Sequence, residues 1–361
     1  MITPARAPEL IDRAVADGTI PGAVLAAGVR TERPMLLHVA GDAQRDGARA
    51  RPMTADTIFD LASLTKVTAT LPCVLLLAAA GEIDLDDPAR RFLPAFAGPG
   101  KDRVTVRQLL THTAGLPDHR KYYENLPDAA AVQAAVLAEP LTTAPGTEVR
   151  YSDLGFMVLG EIVQSASGSV LADLARLLVF DPLGMSDSTY LPPARLAGRI
   201  AATEPVAGAV RIGVVHDENA ALLGGVAGHA GLFGSAADLA RYAAAWVAAD
   251  AEESPGALWL PSSLRDEALR CQTDGLGGRR GLGWGLRNDR WDNMGDGWPD
   301  AGAGHTGFTG TSISLDRRSG LWAVLLTNAV HFGRGPEHSV VGLRKDVHAA
   351  VAETLVGRAV L

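Results

Sequence analysis

Ser63-Leu64-Thr65-Lys66 stands directly ahead of the apolar run Leu71-Pro72-Cys73-Val74-Leu75-Leu76-Leu77-Ala78-Ala79-Ala80, a pattern that predicts a long helix over residues 62–80. At i and i+3 the serine hydroxyl and the lysine amine share one helical face. Lysine is scarce, with only Lys66, Lys101, Lys121 and Lys345 among 33 basic residues, so the spacing says more than it would in a lysine-rich chain. Taken alone, the tetrad also reads as a solvated lysine beside a capping serine. Its chemical reading is a nucleophile with its proton partner. A serine hydroxyl needs a base at neutral pH, and a lysine must fall by about 3 pKa units, or about 4 kcal/mol, to act as one. Burial between subdomains shifts a lysine in that direction, and the Ser63 N–H at the helix start would face a developing oxyanion.

Two further segments carry chemistry. In Tyr151-Ser152-Asp153, a tyrosine on a loop entering a helix can project its phenol into a cleft, where an ammonium such as Lys66 would stabilise a phenolate. The same triplet also reads as a buried tyrosine held by its own loop. In Gly304-His305-Thr306-Gly307-Phe308, a turn just before an apolar strand, the small residues at 304 and 307 would let a strand edge approach a ligand, and the Phe308 N–H would be a second oxyanion donor. A glycine-rich turn opening a strand is the plain alternative.

Around these motifs the periodicity predicts helices over 8–17, 104–110, 129–138, 154–167, 172–178, 236–250 and 340–355, and strands over 23–29, 35–40, 281–286, 310–316 and 321–326. Strands and terminal helices at both chain ends, with helices between, imply an α+β fold (mixed α/β): one domain over 8–358, its sheet subdomain formed by about 8–60 and 235–358, with a helical subdomain over about 61–234 inserted. The site is expected in the cleft between the two.

Composition narrows the functions. The chain has 361 residues, 47% of them hydrophobic and 20% charged, which suffices for a large core. A net charge of -8 and the lack of any basic run argue against a nucleic-acid partner. Cys73 and Cys271, far apart in sequence, suggest free buried thiols rather than a disulfide framework or zinc site. The first 17 residues lack a signal-peptide run, so the expected location is cytoplasmic, or periplasmic or extracellular if a leader was trimmed. The apolar run at 71–80 is too short to span a bilayer, which needs about 20 residues, so no membrane insertion is expected.

The order Ser-x-x-Lys, Tyr-Ser-Asp, His-Thr-Gly resembles the serine β-lactamase and penicillin-binding protein superfamily, in the branch of class C β-lactamases, D-alanyl-D-alanine carboxypeptidases and related esterases. The likeness extends through Pro21-Gly22-Ala23, Leu109-Leu110-Thr111-His112-Thr113-Ala114-Gly115-Leu116, Pro182-Leu183-Gly184-Met185 and Gly281-Leu282-Gly283-Trp284-Gly285. It implies a β-lactamase-like fold, an acyl-enzyme on Ser63, and acid and base roles shared by Lys66 and Tyr151. It further implies an oxyanion hole from the Ser63 and Phe308 N–H groups and substrate contacts from Asp153, His305, Thr306 and Gly307. It implies no metal or other cofactor.

Two departures matter. The tyrosine motif in this family commonly ends in Asn, whereas Asp153 would hold Lys66 as an ammonium and shift the base role to Tyr151. Where β-lactamases often carry Lys, His305 would be mostly neutral at pH 7, leaving an anionic substrate less firmly specified. A further segment, Val215-His216-Asp217-Glu218-Asn219-Ala220 with Gly224-Gly225-Val226-Ala227-Gly228-His229-Ala230-Gly231, resembles one subgroup of penicillin-binding-like hydrolases. It lacks the spacing of a nucleotide loop, and its His216, Asp217 and His229 read as structural hydrogen-bonding groups before they read as cleft-lining or metal-binding ones.

The resulting expectation is a serine hydrolase on a small acyl substrate, an ester or amide. A D-alanyl-D-alanine carboxypeptidase or weak class C-type β-lactamase is the alternative, and a penicillin-binding sensor without turnover the third reading. Substrate preference is expected to rest on loops around Tyr122, Tyr123, Trp284 and Trp298; oligomeric state is left open.

Overall fold

A computed structural model describes residues 6–47, 49–206, 209–249 and 259–359. Its strands are β1 (Gly22–Val29), β2 (Leu36–Asp46), β3 (Arg49–Pro52), β4 (Ile58–Asp60), β5 (Thr189–Tyr190), β6 (Thr203–Val206), β7 (Ala209–Arg211), β8 (Leu232–Ser235), β9 (Gly285–Leu286), β10 (Ala303–Thr306), β11 (Ser312–Asp316) and β12 (Leu321–Thr327). The α-helices are α1 (Arg6–Ala16), α2 (Leu71–Ala79), α3 (Val106–Leu110), α4 (Ala129–Ala138), α5 (Asp153–Ser167), α6 (Leu171–Ala175), α7 (Glu218–Leu222), α8 (Ala236–Val247), α9 (Ser262–Leu269) and α10 (Val341–Ala359).

The main sheet has seven strands in the order β3-β2-β1-β12-β11-β10-β9, every pair antiparallel, so the two ends of the chain meet at β1 and β12. Leu25 lies opposite Leu325 and Val24 opposite Leu326. Ala23, Leu25, Ala27, Ala323 and Leu325 join one core with α1 and α10, while Val24, Ala26, Val324 and Leu326 join the larger core with α8 and the helical region. Both faces are covered, which is why β1 and β12 read as continuous apolar runs rather than as alternating ones. The fold is α+β, as its sequence pattern implied.

Several local expectations need correction. Residues 304–306 are not a turn before a strand but the strand β10 itself, paired to β11 and β9. Of the run 281–286 only Gly285–Leu286 pairs, because Gly283 takes a left-handed φ of 75°. Residues 104–105 are outside α3: Thr105 is its cap, in a reciprocal box with Gln108. The helix expected over 172–178 is α6 followed by a π turn, Arg176–Phe180, and the expected end of α8 at Asp250 falls outside the described residues. Cys73 is buried, but Cys271 is only half-buried, and both are free. Among the described residues no single helix is long and apolar enough to cross a membrane.

Candidate active site

The Ser-x-x-Lys tetrad sits where β4 turns into a helix. Ala62 takes a left-handed φ of 47°, costly for a residue with a Cβ, and the buried Asp60 carboxylate holds the turn by accepting the Ala62 N–H at 2.8 Å. Ser63 is left in the turn itself, one residue ahead of the helix, rather than inside a helix beginning at 62. Lys66–Thr70 forms a π turn before α2, the kind of irregularity that gathers at functional sites.

Lys66 is fully buried. Its Nζ donates to Ser63 Oγ at 2.9 Å and to the His229 carbonyl at 3.1 Å, and pairs with Asp153 Oδ1 at 2.7 Å. Burial pushes its pKa down, but the charges of Asp153 and Tyr151 outweigh burial and the net direction is up. Asp153 is also opposed by burial, which the Lys66 ammonium overcomes, so its carboxyl is held below the usual range. Lys66 is thus an ammonium rather than a free amine, as the Asp153 departure led one to expect.

Tyr151 lies on the loop leading into α5, whose cap is Ser152: its Oγ accepts the Gly155 N–H at 3.1 Å and donates to the Pro117 carbonyl at 2.6 Å. Lys66 Nζ is 5.1 Å from the centre of the Tyr151 ring. Two imidazoles flank that ring, His112 at 4.5 Å and His305 at 6.0 Å between centroids. His112 accepts the Ser152 N–H on Nδ1 at 3.1 Å, which puts its own proton on Nε2. His305 donates from Nδ1 to the Thr306 carbonyl at 2.9 Å, leaving a bare Nε2. Burial first, then Lys66 and Arg280, push His305 down to about 3, so it is neutral at pH 7 as expected from sequence.

Arg280, which the motif reading passed over although it directly precedes Gly281-Leu282-Gly283-Trp284-Gly285, is buried 5.8 Å from the Tyr151 ring. Its counter-ion is Asp289 at 3.3 Å. Arg344 is buried with no carboxylate partner among the described residues, donating to the Gly307 and Thr311 carbonyls at 2.6 and 3.0 Å, and burial pushes it down to about 10. Both line a cavity of about 590 Å³ together with Ser63, Tyr151, His305, Thr306, Gly307 and Phe308. Lys66 and Asp153 lie behind this wall.

The small residues at 304 and 307 line the cavity and are also held small by their protein neighbours. A Cβ on Gly307 would lie 2.4 Å from the Leu61 carbonyl oxygen and 2.2 Å from Thr311 Oγ1, and one on Gly304 would lie 2.7 Å from Asn293 Oδ1. Thr309 and Thr311 donate to the carbonyls of Asp60 and Leu61 at 2.7 and 3.1 Å. This close crossing brings the loop after β10 against the segment entering Ser63. No backbone hydrogen bond among the described residues engages the N–H of Ser63 or Phe308. The Phe308 ring is 62% exposed and stacks on His216 at 5.8 Å.

Of the segments around Tyr122, Tyr123, Trp284 and Trp298, the one beside Trp284 reaches the cavity through Gly285, while the four aromatic side chains themselves do not line it. Trp284 is buried against Trp246, Trp298 packs on His348 on the other side of the sheet, and Tyr122 is buried and donates to Glu139 at 2.9 Å. Tyr123 is held through its backbone by Asn219 and does not line the cavity, which is instead edged by Trp291 and Phe308. His216, Asp217 and His229 are held in hydrogen bonds: His216 to Glu204 at 3.1 Å, and His229 to Asp217 at 3.0 Å.

A serine and a buried lysine in contact, with a tyrosine at the mouth of an apolar cavity, define a hydrolase-type site. The sequence profile of the Beta-lactamase family matches residues 7–341, and the chain belongs to that family. It is 33% identical to esterase EstB of Burkholderia gladioli over 96% of this chain and 95% of the relative. It is 30% identical to an N-acetylmuramyl-L-alanine amidase of Bacillus subtilis over 90% of this chain and 80% of that one. A penicillin-binding protein homolog from Caulobacter crescentus shares the fold with a TM-score of 0.76 at 23% identity, covering 97% of each chain. The protein is a hydrolase of the β-lactamase family.

Proposed function

We propose that this hydrolase works through an acyl-enzyme on Ser63 and acts on small esters or amides. The observation that carries the reading is the 2.9 Å hydrogen bond from Lys66 Nζ to Ser63 Oγ, with the ammonium held by Asp153 and the serine opening onto the cavity. Lys66 stays charged and supports a phenolate at Tyr151. The phenolate takes the proton as Ser63 Oγ attacks the carbonyl carbon, and returns it to the departing alcohol or amine. Water, activated in the same way, then releases the acid and restores the Ser63 hydroxyl. The Ser63 and Phe308 N–H groups receive the oxyanion, each worth about 3 to 4 kcal/mol in the transition state, while Thr306, Gly307 and the neutral His305 border the substrate.

A second reading, a D-alanyl-D-alanine carboxypeptidase or weak class C-type β-lactamase, is favoured by one feature. Arg280 and Arg344 place two buried guanidiniums on the cavity wall, where a substrate carboxylate would be attracted despite the neutrality of His305.

The test is intact-mass spectrometry after brief incubation with p-nitrophenyl acetate and, separately, with a penicillin, alongside turnover by absorbance. Ester turnover that disappears in Ser63→Ala and falls at least about a hundredfold in Tyr151→Phe supports the esterase reading. A persistent penicillin adduct on Ser63 supports the second, and turnover unchanged in Ser63→Ala refutes both.

A further inference from the structure

The segment 215–231, which the catalytic reading leaves without a task, packs against the back of Lys66. Asp217 caps α7 by accepting the Ala220 N–H at 2.7 Å and also pairs with His229 Nε2 at 3.0 Å, while the His229 carbonyl receives Lys66. Asn219 on α7 bonds the Arg120 carbonyl at 2.7 Å and the Tyr123 N–H at 3.2 Å, which ties α7 to the loop carrying His119. That loop is stitched to the start of α5 by Ser152 Oγ on the Pro117 carbonyl and by the Asp153 N–H on the Asp118 carbonyl at 2.8 Å. The outcome is a contact of 3.3 Å between His119 Nδ1 and Asp153 Oδ2, the oxygen opposite the one that holds Lys66. A continuous chain of polar contacts therefore runs from Ser63 through Lys66 and Asp153 to His119, whose side chain is 41% exposed.

We propose that Asp153 is a shared counter-ion and that His119 is a positioning residue through which solvent pH sets the electrostatics of the Ser63–Lys66–Tyr151 site. The proposal rests on the acyl-enzyme reading above and adds its regulation. When His119 is protonated, the Asp153 carboxylate is divided between two cations, the site gains one positive charge, and the negative charge that develops as Ser63 attacks is better stabilised. When His119 is neutral, Asp153 faces Lys66 alone and that stabilisation is lost. An Asn at 153 carries no charge to divide, so the device belongs to the Asp153 departure.

The groups facing His119 are Asp153 from α5, Asp217 from the turn before α7 and Asp118 from its own loop; Arg120 and Lys121 are paired with Glu139 and Glu124. The hydrogen bond to Asp153, opposed by partial burial, raises the His119 pKa above the ordinary histidine value.

The experiment is the pH profile of kcat/KM for p-nitrophenyl acetate between pH 6 and 9, for the wild type, His119→Gln, Asp153→Asn and the double variant, with Ser63→Ala as the reference for the reaction itself. Protonated His119 is the favourable state, so the wild-type profile loses about threefold to tenfold as pH rises through the His119 ionisation. His119→Gln lies at the lower limb without that inflection, and in the Asp153→Asn background the His119 substitution changes nothing further. A His119→Gln profile parallel to wild type at every pH, or the same His119 effect with and without Asp153, overturns the proposal. Residual activity in Ser63→Ala overturns instead the reading on which it rests.

Discussion

Lys66→Met removes the positive half of a buried ion pair while keeping most of the side chain's length. The wild-type lysine side chain is fully buried and Asp153 is 19% exposed, so the variant leaves a mostly desolvated carboxylate whose remaining partner is His119 at 3.3 Å. Orphaning one member of a buried pair costs about 3 to 5 kcal/mol. The partial exposure of Asp153 and its contact with His119 place the expected loss near the lower end, about 3 kcal/mol. That is a large share of the roughly 5 to 15 kcal/mol by which domains are stable. Adding Asp153→Asn removes the orphaned charge, so the double variant should recover most of the deficit although it stays inactive. Urea unfolding at pH 7, followed by tryptophan fluorescence, gives the four corners of the cycle. Lys66→Met as stable as the wild type, or a double variant no better than the single, would refute the view that Lys66 is an ammonium neutralised by Asp153.

Two other outcomes follow from close packing and from buried imidazoles. Gly307→Ala drives a Cβ into the Leu61 carbonyl and Thr311, so it should lose about 1 to 3 kcal/mol and lower ester turnover by parting the segments that carry Ser63 and Phe308, whereas Gly342→Ala, with open space at its Cβ, should lose neither. His348 is buried on Ser314 Oγ at 2.8 Å, with burial followed by Arg344 pushing its pKa down to about 3. In the unfolded chain it titrates near 6.5, so the unfolded state binds the extra proton between these values and stability, complete above pH 6.5, is lost as pH falls toward 3. At pH 4.5 this amounts to about 2 to 3 kcal/mol, and His348→Gln should show a correspondingly shallower loss between pH 7 and 4.5 in urea midpoints; parallel curves would contradict it.

How much of this was legible in the chain differs from residue to residue. The pairing of Ser63 with Lys66, the ammonium state that Asp153 imposes and the neutrality of His305 follow from spacing, charge and reference pKa, and the structure agrees with each. The strand over 303–306 was missed because a run of Ala, Gly, His and Thr has little apolar periodicity; it is a strand because β11 and β9 flank it. The sequence marked the segments around Trp284 and Trp298 without saying which way the rings point, and both rings are buried in the core.

By itself the sequence determined the order of the motifs, which residues are proposed as nucleophile and proton partners, the α+β class, and the apolar faces that both chain ends bring to one sheet. These are properties of local periodicity and residue chemistry, which act over a few positions. Only the tertiary structure decided that Gly307 must be small because it crosses the Leu61 backbone. It also decided that Arg280 and Trp291 face the cavity, and that His119, Asp153, Asp217 and His229 converge behind Lys66. Each of those juxtapositions joins loops far apart in the chain, and their approach is set by how helices and sheet pack around them, which no local pattern encodes.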